Sequence, residues 1–214
     1  LSGISLDGGS FFYPNPLESD GRHHRQPWFG CACCPSNIAR FIPSVAGYVY
    51  SVKDNDLFVN LYMSNNVNTS VKNGDVKLSV DTDYPREGEV TLVLKEAPKK
   101  GFELKLRIPG WVRNEVVPSD LYTYADKVTP GYSVKVNGVE VHTMLNDGYF
   151  CIKRKWKAGD KVELSMEVIP RVVKANPLVK DNEGRIAVEK GPIVYCAEWA
   201  DNPGINVREA VVDK

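Results

Sequence analysis

Apolar residues between positions 36 and 47 fall at Ile38, Phe41, Ile42 and Val45, the i, i+3, i+4, i+7 spacing of one helical face. Pro35 suits the first position of that helix, where a missing N–H leaves nothing unpaired. Gly47 suits its C-terminal stop, and Pro43 inside the pattern predicts a kink or a shortened helix. From Tyr48 the period changes to two. Tyr48–Val52 and Leu57–Tyr62 read as strands joined by a tight turn over Lys53 to Asp56. Further alternation predicts strands over 76–82, 89–95, 102–108, 132–136, 149–154, 161–168, 185–189 and 192–198.

Turn signals separate these strands, among them Asn73-Gly74, Lys100-Gly101, Asn137-Gly138 and Asp147-Gly148. Many short strands with no helix alternating between them disfavour a parallel α/β sheet. They predict a mainly β chain, with one or two antiparallel β-sandwich domains preceded by a loop and one helix. Residues 1–30 carry many Gly and Pro and read as irregular, with one short strand expected at Phe11–Tyr13. The stretch 109–131 is the longest irregular segment and takes a soft boundary. The expected division is 1–47, then 48–130 as a first sandwich, then 131–214 as a second sandwich or the remainder of one.

Composition narrows the function classes. The 214 residues include 27 Lys and Arg against 27 Asp and Glu, so net charge supplies no case for nucleic acid or an anionic membrane surface. Hydrophobic residues make up 43%, enough for a substantial core. No apolar run approaches the roughly 18–20 residues that span a bilayer. Leu1 opens in mid-pattern without a start methionine or a signal peptide, so the chain is expected to be a fragment or a processed product.

Chemistry concentrates in Trp28-Phe29-Gly30-Cys31-Ala32-Cys33-Cys34-Pro35-Ser36-Asn37. Cys33 and Cys34 immediately precede the expected helix, where free N–H groups and the helix dipole favour a thiolate. Four readings of the cluster compete. A disulfide inside it suffers from strain between adjacent cysteines. Small buried residues at a helix start are the bland reading. A structural zinc site needs four ligands, and no second cysteine pair follows at a familiar spacing. A reactive thiolate, metal-bound or free, is the fourth.

Cys31-Ala-Cys-Cys-Pro-Ser-Asn-Ile-Ala-Arg40 resembles the signature of the β-L-arabinofuranosidases, glycoside hydrolase family 127. The resemblance extends to Leu1–Gly8, Phe12–Leu17, Leu57–Tyr62, Leu106–Trp111, Val136–Gly138, Trp156–Asp160 and Gly191–Cys196, so it covers nearly the whole chain. It implies an N-terminal (α/α)6 barrel followed by β-sandwich domains, with residues 1–47 as the tail of the barrel. It also implies a retaining exo-glycosidase that removes β-L-arabinofuranose by thiolate attack on the anomeric carbon. By motif Cys33 matches the nucleophile and a zinc ligand, and Cys34 a second ligand. The remaining Cys and Glu ligands and the acid/base Glu belong to a segment upstream of the motif. Zinc is therefore expected in the full-length parent and weakly or not at all in this chain, which alone is expected to be inactive. Cys31 is carried over as no ligand.

Retention needs a nucleophile on one face of the sugar and an acid on the other, and a metal would keep a thiol ionised at neutral pH. The expected partner of the parent is an arabinose-containing glycan, with Tyr13 and His24 as candidate substrate contacts. Rival readings are a non-catalytic carbohydrate-binding or structural module, and a cysteine acyl hydrolase using His23 or His24 as base. Glu18 and Asp20 read as a solvated loop. Trp111, Trp156 and Trp199 read as sandwich aromatics, and Cys151 and Cys196 as buried small residues. A zinc-bound thiol tolerates the cytoplasm, and a periplasmic home stays open.

Overall fold

The computed structural model describes residues 3–14, 18–31 and 33–212. Leu1, Ser2, Asn15, Pro16, Leu17 and Ala32, which take part in the resembling stretches, lie outside them. The chain divides into two compact units, residues 46–195 and residues 1–45 with 196–214.

Residues 46–195 are built from strands. In chain order these are β1 (Tyr50–Lys53), β2 (Asp56–Val59), β3 (Asn65–Val71), β4 (Gly74–Thr82), β5 (Glu89–Glu96), β6 (Phe102–Arg107), β7 (Tyr122–Tyr124), β8 (Tyr132–Val136), β9 (Val139–Glu140), β10 (Leu145–Asn146), β11 (Tyr149–Arg154), β12 (Lys161–Met166), β13 (Pro170–Ala175), β14 (Ile186–Lys190) and β15 (Ile193–Tyr195). One sheet has the order β1-β2-β6-β11-β10, a second β3-β4-β5-β12-β8-β9, and a third β15-β14-β13-β7. Every pairing is antiparallel except β2 with β6.

The period-two pattern explains the core. Leu57 and Val59 of β2, Leu104 and Leu106 of β6, and Phe150 and Ile152 of β11 point inward from the first sheet. Leu78 and Val80 of β4, Leu92 and Leu94 of β5, and Val162 and Leu164 of β12 point inward from the second. All belong to one apolar cluster, so the two sheets form a single sandwich. Strands from both sides of residues 109–131 share its sheets. Trp111 and Trp156 are buried within it, and Trp156 Nε1 donates to the Phe102 carbonyl at 3.1 Å.

Local sequence sets the turns. Asn137 (φ 53°) and Gly138 (φ 80°), like Asp147 (φ 50°) and Gly148 (φ 81°), place two successive residues in the left-handed region, as the tight hairpin turn of Asn-Gly and Asp-Gly requires. Gly88 is needed for a different reason: a Cβ there would lie 1.7 Å from the Met166 carbonyl oxygen on the neighbouring chain segment.

Five strands escape the sequence reading. In β3 the exposed positions are Asn66, Asn68 and Ser70, β7 lies inside the stretch read as irregular, β9 and β10 have two residues each, and β13 opens on Pro170. Conversely, Phe11–Tyr13 forms no strand; Phe11 makes isolated bridges to Ile4 and Gln26. Residues 48 and 49 are helical, because a short helix α2 (Ala46–Val49) runs through Gly47, so Gly47 is no stop.

In the other unit, both ends of the chain fold together. Arg25 makes a two-pronged ion pair with Glu198, at 2.8 Å on each arm, and its guanidinium lies 4.4 Å from the Phe12 ring centre. Trp199 packs here against Gly21 and donates to the Ser19 carbonyl at 3.1 Å, so it is not a sandwich aromatic. Glu18 pairs with Arg208, and Asp20 with Arg22. Helix α1 (Cys33–Ser44) has no buried residue, and its stripe of Ile38, Phe41 and Ile42 is exposed. It begins two residues before Pro35. That is allowed, because the N–H groups of the whole first turn lack intrahelical acceptors and a proline there forfeits no bond. Pro43 lies inside the last turn of α1, one residue before its end at Ser44.

Candidate active site

The start of α1 brings Cys33 and Cys34 into its first turn rather than ahead of it. The irregular segment before the helix returns Cys31 and Tyr13 to the same place. Tyr13 is set by its ring against Phe29, 5.5 Å between centres, and Phe29 packs edge-on against Phe11 at 5.1 Å. Its hydroxyl lies 2.6 Å from Cys33 Sγ and donates to Cys31 Sγ at 3.2 Å. Cys31 Sγ is 3.4 Å from Cys33 Sγ, and Cys33 Sγ is 3.9 Å from Cys34 Sγ. All three thiols are free and their residues exposed, so the reading as small buried residues does not hold. Trp28 is 58% exposed.

Ionisation is shared unequally among these sulfurs. The Tyr13 hydroxyl, followed by the Cys33 N–H and thiol, holds the Cys31 thiol down at about 7. Tyr13 also pulls Cys33 down, but the Cys31 and Cys34 sulfurs push harder, and Cys33 lies above its ordinary value. Tyr13 is itself raised because its proton bonds to Cys31, Cys33 and Cys34, so it remains a donor. The sequence places the favoured thiolate at Cys33 or Cys34, whereas the Tyr13 hydroxyl favours a thiolate at Cys31.

Two sulfurs have the spacing of a soft-metal site. With Zn–S near 2.3 Å, two thiolates on one tetrahedral zinc stand about 3.8 Å apart, and Cys33 and Cys34 stand at 3.9 Å. These two fit the metal as donors. Among the described residues no group of three His, Cys, Asp or Glu side chains has metal-binding geometry.

The histidines stand apart. His23 stacks on Phe12, 4.8 Å between ring centres, and its Nε2 lies 3.1 Å from the Pro14 carbonyl. His24 is exposed, and no hydrogen bond links it to the cysteines among the described residues. Among the described residues neither imidazole hydrogen-bonds to Cys33, the contact that a base for an acyl hydrolase needs. Cys151 is half-buried, and Cys196 is exposed rather than buried as its apolar strand context predicts; burial raises both thiols. Among the described residues no helix is long and apolar enough to cross a membrane.

Three family models match the chain in sequence. The GH127 beta-L-arabinofuranosidase catalytic domain matches residues 1–47, its middle domain residues 56–168, and the family's C-terminal domain residues 170–214. The chain belongs to glycoside hydrolase family 127.

A non-reducing end beta-L-arabinofuranosidase of Bifidobacterium longum subsp. longum is 36% identical over 220 residues, covering 95% of this chain and 30% of the relative. A solved GH127 beta-arabinofuranosidase is 57% identical, with a TM-score of 0.87 over 94% of this chain and 32% of its own. The GH127 beta-L-arabinofuranosidase from Geobacillus stearothermophilus T6 is 38% identical, with a TM-score of 0.77 over 94% and 31%. The chain thus spans about a third of the length of these relatives.

Proposed function

We propose that this chain is the part of a retaining β-L-arabinofuranosidase that carries the nucleophile, Cys33, and that the whole enzyme acts on arabinose-containing glycans. The observation that carries the reading is the set of contacts around one exposed sulfur: Tyr13 Oη at 2.6 Å and Cys34 Sγ at 3.9 Å from Cys33 Sγ.

In the first step Cys33 Sγ bonds to the anomeric carbon as the glycosidic C–O bond breaks. The leaving oxygen takes a proton from an acid that the described residues do not supply at this site. Water then loses a proton to the conjugate base of that acid and attacks the same carbon, the C–S bond breaks to return the thiolate, and the sugar leaves with retained configuration. Tyr13 donates to the sulfur while it is anionic and orients it. Cys33 and Cys34 would hold zinc, which would keep the thiols deprotonated at neutral pH. Without the proton donor and with two metal donors, this chain alone has no turnover.

The test is labelling of the full-length enzyme with a β-L-arabinofuranosyl electrophile, followed by peptide mass spectrometry. The adduct is expected on Cys33 and absent from Cys33→Ser, which also loses turnover. An adduct on a carboxylate, or turnover retained in Cys33→Ser, overturns the reading.

A further inference from the structure

We propose that the outer face of the five-stranded sheet carries a binding site for a short neutral oligosaccharide, walled by Phe58 and Tyr149. The inference uses none of the cysteines and stands apart from the reaction proposed above.

The site is a cleft of about 410 Å3 between the β1–β2 turn and the β10–β11 turn, within the roughly 300–1,000 Å3 of small-molecule sites. Strand alternation creates its wall. Leu57, Val59 and Phe150 face the core, so Phe58 and Tyr149 face out. The two rings meet at 86° with centres 5.2 Å apart. Both are held without a ligand. The Tyr149 hydroxyl donates to Asn60 Oδ1 at 2.9 Å. The Lys105 ammonium lies 4.8 Å from the Phe58 ring centre and is bound to Asp56 at 2.8 Å and Glu103 at 3.4 Å. A wall fixed in advance loses little entropy when it is occupied.

The ends of the cleft are polar and unused. Asp54 and Asp147 sit at φ 52° and 50° in their turns, and among the described residues neither carboxylate has a hydrogen-bond partner. Charge narrows the ligand class. An anion entering the cleft would face the carboxylates of Asp54, Asp56 and Asp147, while Lys105 is already held by Asp56 and Glu103 and offers it little compensation. A neutral, hydroxyl-rich molecule meets acceptors at both ends and rests its C–H surface on the rings. The strand from Asp56 to Asn60 runs roughly 13 Å, so the length suits several linked sugars rather than one.

The test is a 15N–1H chemical-shift titration of the 214-residue chain with three probes: a neutral arabino-oligosaccharide, an oligogalacturonate and a chitosan oligosaccharide. Shifts centred on Phe58, Lys105, Asp147 and Tyr149 are expected with the neutral probe alone. Phe58→Leu should abolish them. Asp147→Gly keeps a backbone that tolerates positive φ and should weaken binding about tenfold, the scale of one lost hydrogen bond to a charged group. Cys33→Ser should bind normally, which separates this site from any failure of the enzyme reading. No shifts at the cleft, preference for a charged probe, or unchanged affinity in both Phe58→Leu and Asp147→Gly overturns the proposal.

Discussion

The Tyr13 hydroxyl lies 2.6 Å from Cys33 Sγ and donates to Cys31 Sγ at 3.2 Å, so one phenol serves two sulfurs from twenty and eighteen residues away in sequence. That proton is the largest influence holding Cys31 at about 7. Removing it with Tyr13→Phe should move the pH midpoint of Cys31 alkylation upward, toward the ordinary thiol range. At pH 7 the Cys31 alkylation rate should fall several-fold. The measurement is iodoacetamide modification against pH, read by mass spectrometry on the Cys31 peptide; an unmoved midpoint would contradict the geometry.

Metal affinity follows from the donor count. Two thiolates at 3.9 Å supply half of a four-coordinate shell. Cadmium titration of this chain, followed by thiolate-to-metal absorption in the ultraviolet, should show weak binding that disappears in Cys34→Ser. Tight binding with an intensity of four thiolates per metal would be incompatible with this arrangement.

The Arg25–Glu198 pair, with side chains 20% and 25% exposed, ties the two ends of the chain within their unit. Arg25 holds the Glu198 carboxyl below its ordinary value. A folded pKa below the unfolded one stabilises the fold above the unfolded value, near 4.5. That contribution is lost as pH falls through the folded value. Glu198→Gln should therefore expose residues 196–212 to protease at neutral pH, at a cost of about 1 kcal/mol. It should also flatten the acid dependence of cleavage seen in the wild type.

Asp160 clasps two turns. It accepts from the Asn137 amide at 2.9 Å and from the Lys157 N–H at 2.8 Å, while Asn137 Oδ1 accepts from the Lys161 N–H at 2.8 Å. Asp160 is 8% exposed, so its loss strands several polar groups. Asp160→Ala should cost about 2–3 kcal/mol in urea denaturation. Asn137→Ala should cost a comparable amount, and the double variant less than the sum, because both remove one bond.

Much of the sandwich was legible because alternation and Asn-Gly or Asp-Gly turns are local signals. Strands 132–136 and 149–154 lie where the pattern puts them. β3 stayed hidden because Asn65, Asn66 and Asn68 carry no strand preference, and its outward residues meet only solvent or the β4 partner. At the site, the cysteine motif was visible, and its helical setting was misjudged by two residues. The approach of Tyr13 to sulfur was not visible: a hydroxyl eighteen to twenty residues away meets its partner through the packing of Phe11 and Phe29, which no spacing rule encodes. Cys31 looked spare in the motif for a related reason, since its neighbours are set by that same loop.

Gly88 carries a consequence for how this sequence can drift. With the Met166 carbonyl oxygen 1.7 Å from where a Cβ would sit, even one methyl group must wedge backbone from backbone. At Gly138 the surroundings are open and only the positive φ objects, a conformation asparagine adopts without much penalty. In a saturation library sorted for folded protein, position 88 should retain glycine alone, while position 138 should also fill with asparagine.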